Sequence, residues 1–125
     1  MRWRASDEFS TRYLPGMLSA EAPGAVRDEM AELIRSWHPL GFRLMSRAVA
    51  EADTRSFLGA IRVPTLLIWG DADARSPLSV GQDSHRRIPE SQLVVLAGAG
   101  HVSSLEQPDA FNAAVRGFCG GIDIG

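Results

Sequence analysis

Two residues carry most of the chemistry legible in this chain. Asp73 follows an apolar run in Val63-Pro-Thr-Leu-Leu-Ile-Trp-Gly-Asp-Ala-Asp73-Ala-Arg-Ser-Pro77, and His101 follows another in Leu93-Val-Val-Leu-Ala-Gly-Ala-Gly-His101. A carboxylate beside an imidazole accepts a hydrogen bond from one ring nitrogen, fixes the tautomer and stabilises the protonated ring. The other nitrogen then serves as general base and later as general acid, worth about 10²–10⁴-fold in rate. Such a pair supplies two of the three parts of a nucleophile–histidine–acid triad. Asp71 competes for the acid role, but it stands directly after Gly70, where a turn takes up an aspartate; Asp73 is preferred. His38, before Pro39 at a helix junction, and His85, beside Arg86 and Arg87 on a solvated face, are weaker candidates.

The pair meets only if the elements carrying it run side by side. Residues 65–69 form a short apolar run bounded by Pro64 and Gly70, and residues 93–96 form a second. Both suit strands buried in a parallel sheet. Ser76 as N-cap and Pro77 at the first helical position start a helix that Pro89 stops. Gln107-Pro108 starts a last helix with Phe111, Val115 and Phe118 on its inner face. Ser103 and Ser104 are expected to cap this last helix region. Residues 61–125 thus read as a β-α-β-α unit with two parallel strands. Ligands in such sheets bind beyond the carboxyl ends of the strands, where Asp73 and His101 both fall. Gly98 and Gly100 let the backbone turn so that His101 reaches that rim.

Residues 1–60 are patterned as short helices. Ser6 is a plausible N-cap, Phe9 and Tyr13 share a face, and Pro15-Gly16 breaks the segment. Pro23 suits a first helical turn, after which Val26, Met30, Leu33 and Trp37 recur at helical spacing. Pro39 opens a third helix with Phe42, Met45, Val49 and Ala52 on one stripe, and Asp53 or Thr54 caps a short turn ending near Gly59. These stripes need a further layer to pack on. Trp37, Phe42 and Met45 are read as helix-packing residues rather than as a pocket wall.

The 125 residues suffice for one ordinary domain. A net charge of −2 argues against a nucleic-acid partner, since such domains carry a basic face; that all thirteen Lys and Arg positions are Arg reads as coding bias rather than function. Cys119 is the only cysteine, which leaves no internal disulfide and no thiolate metal cluster. No apolar run is long enough to span a bilayer and no secretory signal opens the chain, so the expected location is cytoplasmic, with no membrane partner.

The segment Pro64-Thr-Leu-Leu-Ile-Trp-Gly-Asp-Ala-Asp-Ala-Arg-Ser-Pro77 resembles the acid-bearing segment of the α/β-hydrolase family. Gly98-Ala-Gly-His-Val-Ser-Ser-Leu-Glu-Gln-Pro-Asp-Ala-Phe111 resembles its histidine segment, where Gly-x-Gly-His is followed by Glu-x-Pro and an aromatic. The resemblance implies an α/β fold, here the C-terminal portion of the family's core. Asp73 is then the triad acid, His101 the triad base, and residues 1–60 a helical lid or cap over the β-α-β-α part at 61–125. It implies hydrolysis of an ester, lactone or related acyl bond in a small molecule, with no metal and no organic cofactor.

The family's nucleophile lies in Gly-x-Ser-x-Gly between a strand and a helix, ahead of the acid. That pattern is absent from the 125 residues. Gly117-Phe-Cys119-Gly-Gly121 and Gly121-Ile-Asp123-Ile-Gly125 imitate its spacing, but both follow His101, the wrong order for the family. Cys119 reads as the end of an amphipathic helix, Asp123 as part of a tail, and Ser19, Ser46, Ser103 and Ser104 have no glycine frame. The chain therefore reads as a fragment, inactive alone, whose first strand keeps an open apolar edge for a missing N-terminal half or for self-association. The alternative is a non-catalytic binding or interaction module derived from the same fold.

Overall fold

The computed structural model describes residues 7–121, so Ser6 and Asp123 lie outside the described residues. The N-terminal periodicity becomes α1 (Asp7–Tyr13) with a 3₁₀ turn at Leu14–Gly16, α2 (Gly24–Arg35), α3 (Pro39–Glu51) and α4 (Arg55–Leu58). The second half runs β1 (Thr65–Gly70), α5 (Leu78–Arg87), β2 (Ser91–Leu96), the single turn α6 (Ser103–Glu106) and α7 (Pro108–Gly120). β1 and β2 are parallel, with Thr65 opposite Ser91 and Gly70 opposite Leu96. Their carboxyl ends therefore finish side by side. Helices α5 and α7 pack on the strands.

Several local expectations shift. Pro23 and Pro77 stand one position ahead of their helices as N-caps, with ψ of 145° and 149°. Ser76 is thereby released from capping and belongs to the loop that holds Asp73. Val102, not Ser103 or Ser104, is the N-cap of α6. Thr54 precedes α4 without a side-chain cap bond, while the Asp53 carboxylate accepts from the Arg55 backbone N–H at 3.1 Å. The Arg55 guanidinium, followed by that N–H, holds the exposed Asp53 carboxyl well below the usual carboxylate range. The β1 run, expected to be buried on both faces, is only half-buried from Thr65 to Trp69, because β2 is its one partner strand among the described residues.

The helical half builds its own core. Met30 and Ile34, one turn apart on α2, are 2% and 0% exposed and close on Leu18 and Ala22. Leu33, expected on that stripe, is 47% exposed; the buried face follows the four-residue step from Met30 to Ile34 instead. Phe9, Tyr13, Trp37 and Phe42 form one aromatic group, with Trp37 stacked on Phe42 at 5.2 Å and Tyr13 edge-on to Phe42 at 5.1 Å. Such pairs add about 0.5–1.5 kcal/mol each beyond area burial. The α3 stripe is otherwise uncovered: Met45 and Val49 are exposed, and the helix stops at Glu51, short of Ala52.

One side chain fastens this layer to the sheet half. Glu106 accepts from the Ser19 N–H through Oε1 at 2.9 Å and from the Gly100 N–H through Oε2 at 2.7 Å. Beside it the Val102 N–H donates to the Met17 carbonyl at 3.0 Å. Arg27 reaches over the same segment and donates to the carbonyls of Ser19, Ala20 and Ala22. Gly100 has no room for a side chain, since a Cβ there would lie 2.4 Å from the Ser19 nitrogen. Gly100 therefore serves close approach, and the left-handed turn falls to Gly98 alone, at φ 76°.

Two expectations follow for equilibrium unfolding in urea. Ile34→Ala lowers stability by about 2–5 kcal/mol, whereas Leu33→Ala on the neighbouring exposed face stays within about 0.5 kcal/mol. Glu106→Ala, which leaves the amides of Ser19 and Gly100 without their acceptor, costs about 2–3 kcal/mol, and Glu106→Gln, with a single acceptor oxygen, costs roughly half of that.

Candidate active site

The parallel register delivers two loops to one rim. At the end of β1 the chain turns through Asp71 and Ala72, and the Ala72 N–H donates to the Ala99 carbonyl at 3.0 Å. The Gly98 N–H donates to Asp71 Oδ1 at 2.6 Å. Asp71 is thus consumed by the junction between the loops. Gly70 is the tightest point: a Cβ there would fall 2.1 Å from the Ala99 oxygen.

Asp73 emerges from this junction with its side chain 5% exposed. Its Oδ1 accepts from the backbone N–H groups of Arg75 and Ser76 at 2.9 and 2.8 Å. These bonds lock the carboxylate as the centre of a small turn and leave Oδ2 for another partner. That partner is His101, whose Nδ1 lies 2.9 Å from Oδ2. With a carboxylate as acceptor, Nδ1 is the protonated nitrogen and Nε2 is left as the basic one. The ring is held at Nδ1, while the side chain as a whole remains 36% exposed.

The acid loop is closed from the far side by Trp69, whose indole N–H donates to the Ser76 carbonyl at 2.7 Å. Its ring lies on Gly81 of α5, where a Cβ would come within 2.7 Å of it. A glycine inside a helix costs about 1 kcal/mol relative to alanine; here it makes space for the indole that seals the loop. On the base side the Gln107 side-chain amide donates to the Ala97 carbonyl at 2.7 Å.

His101 borders two hollows. A small one of about 140 Å³ includes Asp73, Gly70 and the buried Ser103. A larger one of about 530 Å³ is walled by Tyr13, Trp37, Phe42 and Met45 and reaches Arg75 and His101. The aromatic residues read as helix packing therefore do both: they stack on one another and present a common wall to the imidazole. Apolar walls with few polar groups are the usual form of a small-molecule site.

The other candidates lie elsewhere. His38 caps α3 and accepts from the Gly41 N–H at 3.4 Å, and His85 Nδ1 is 2.8 Å from Ser91 Oγ. Cys119 is exposed within α7, away from both hollows. Among the described residues no group of three or more His, Cys, Asp or Glu is arranged to hold a metal ion. No described helix is long and apolar enough to cross a membrane. Arg75 and Glu106 are the residues that reading the sequence passed over. Glu106 stood in the Glu-x-Pro pattern after His101, and Arg75 stood two places after the acid; nothing in the spacing said what either would touch.

Residues 44–108 match the family model for the alpha/beta hydrolase fold. The chain is 35% identical over 102 residues to a pimeloyl-[acyl-carrier protein] methyl ester esterase of Neisseria meningitidis, covering 82% of this chain and 33% of that protein. It is 37% identical over 78 residues to 3-oxoadipate enol-lactonase 1 of Acinetobacter baylyi, covering 62% of this chain and 29% of that one. A thermophilic esterase from Thermogutta terrifontis superposes with a TM-score of 0.82 at 29% identity, over 90% of this chain and 43% of its own. The chain thus spans well under half the length of the curated relatives it matches. With a parallel strand pair, an aspartate and a histidine at its carboxyl rim, and sequence and structural kinship to the same group, the chain belongs to the α/β-hydrolase fold family.

Proposed function

We propose that this chain supplies the acid–base part of an ester or lactone hydrolase, with helices α1 to α4 as its lid. The observation that carries the reading is the 2.9 Å contact between His101 Nδ1 and the immobilised Asp73 carboxylate, beside an apolar hollow. Similarity to proteins named as a methyl ester esterase and an enol-lactonase supports the acyl-bond class.

In this mechanism a nucleophilic hydroxyl attacks the substrate carbonyl carbon as its proton passes to His101 Nε2. Asp73 holds the ring and stabilises the imidazolium. The tetrahedral intermediate collapses, the carbon–oxygen bond to the leaving group breaks, and Nε2 returns the proton to the departing oxygen. Water then repeats the sequence on the acyl intermediate, losing its proton to Nε2 and releasing the acid. The nucleophile comes from a Gly-x-Ser-x-Gly segment that these 125 residues do not contain. That segment seats on the open side of β1, whose only partner strand among the described residues is β2.

A second reading, a binding module without chemistry, draws on the apolar hollow walled by Tyr13, Trp37, Phe42 and Met45 and on the missing nucleophile. The two part company on reconstitution. With p-nitrophenyl butyrate, the chain alone gives no turnover above buffer. Combining it with a nucleophile-bearing N-terminal half from a family member gives turnover that His101→Ala abolishes. Asp73→Asn, which presents an amide to Nδ1, lowers that turnover by about 10³–10⁴-fold, and Cys119→Ala leaves it unchanged. Turnover by the chain alone that Cys119→Ala removes overturns the assignment. Ligand binding that no added half converts into hydrolysis favours the module.

A further inference from the structure

Arg75 has a placement that the acid–base pair does not require. Its backbone N–H serves Asp73, yet its side chain leaves that loop and crosses to the helical layer. The guanidinium carbon sits 4.2 Å from the centre of the Tyr13 ring, and Nη1 is 3.5 Å from Met17 Sδ. A cation over an aromatic face is held electrostatically by the ring, and thioether sulfur is a weak acceptor. Among the described residues Arg75 makes no ion pair with a carboxylate. The guanidinium is therefore oriented, but its hydrogen-bonding fork is largely unspent.

Its surroundings sharpen the point. Arg75 and His101 border the same hollow of about 530 Å³, and none of the residues lining it is an Asp or Glu. Arg75 is its one permanent cation among the described residues. A fixed positive charge in a cleft with low-dielectric walls focuses its field on whatever enters. A guanidinium matches a carboxylate with paired parallel hydrogen bonds, and one already fixed on an aromatic ring loses less freedom when it makes them.

We propose that Arg75 is the specificity residue of this hollow and reads a free carboxylate on the substrate, so that the preferred ligand class is an acyl ester or lactone bearing a separate carboxylate. The proposal rests on the hollow beside His101 being the substrate site. It needs no nucleophile, because recognition precedes chemistry. The apolar wall of Trp37, Phe42 and Met45 takes the carbon chain between the two ends.

The test is a binding titration of the full chain, followed by calorimetry and by the NMR shifts of the Arg75 Nε–H and the His101 ring. The probes are monomethyl glutarate, with one ester and one carboxylate, and dimethyl glutarate, with no charge. The expected result is about tenfold tighter binding of the monoester at low ionic strength, as for one charge-assisted contact, shrinking as salt screens it. Arg75→Gln, which keeps most of the stem, removes the preference, and Arg75→Lys retains part of it. A circular dichroism melt identifies which variants are folded, and Arg75→Lys preserves the cation over Tyr13 if Arg75→Gln unfolds. Equal affinity for the two probes, no binding of either, or a preference that survives in folded Arg75→Gln overturns the proposal. Charge-selective binding without reconstituted hydrolysis leaves Arg75 assigned and sinks the hydrolase reading; hydrolysis without charge selectivity does the reverse.

Discussion

The backbone of Ala99 lies so close to Gly70 that no side chain fits between them, and this contact sets the geometry of the rim. Parallel pairing of β1 with β2 brings Gly70 opposite Leu96, but register alone would leave two independent loops. The Ala72–Ala99 and Asp71–Gly98 hydrogen bonds weld them into one unit. Asp73 and His101, one from each loop, then meet at 2.9 Å. Neither side chain has to travel to find the other, which is the sense in which the pair is preorganised.

The helical layer is tied to that unit by polar contacts more than by a shared apolar interface. Its core of Leu18, Ala22, Met30 and Ile34 is largely its own, with Val102 and Leu105 at the border. The connections run through Glu106, the Met17 carbonyl and the Arg75 side chain. Burying these amides without acceptors would cost more than the bonds return in isolation. Removing an acceptor while the layer stays in place, as Glu106→Ala does, is therefore the costly change.

Much of this was legible in the sequence. The alternation of short apolar runs with helical stripes gave both strands and the longer helices within a residue or two, though not the single turn α6, and Pro39, Pro89 and Pro108 marked boundaries as their missing N–H requires. Asp73 and His101 were legible because each stood just past a strand, a position that topology alone makes adjacent. Three features were not. Ile34 replaced Leu33 in the core because one position on a helix rotates a side chain by more than a quarter of a turn, finer than a stripe of four residues resolves. Gly100 was read as a turn residue because a glycine allows two things, a left-handed backbone and a close approach, and only the fold says which is used. Arg75 gave no signal, since a charged residue in a loop reads as solvated until an aromatic ring is found beneath it.

The carboxyl group of Glu106 is planar, with two oxygens at a fixed separation, and each oxygen grips a different part of the chain. A hydrophobic contact at that place would slide; a trigonal group does not. The gap between the wall that carries Met17 and the loop that carries His101 is thereby gauged by a rigid spacer. The width of the mouth is an inherited dimension of one functional group, and the two sides keep a common datum when either is displaced.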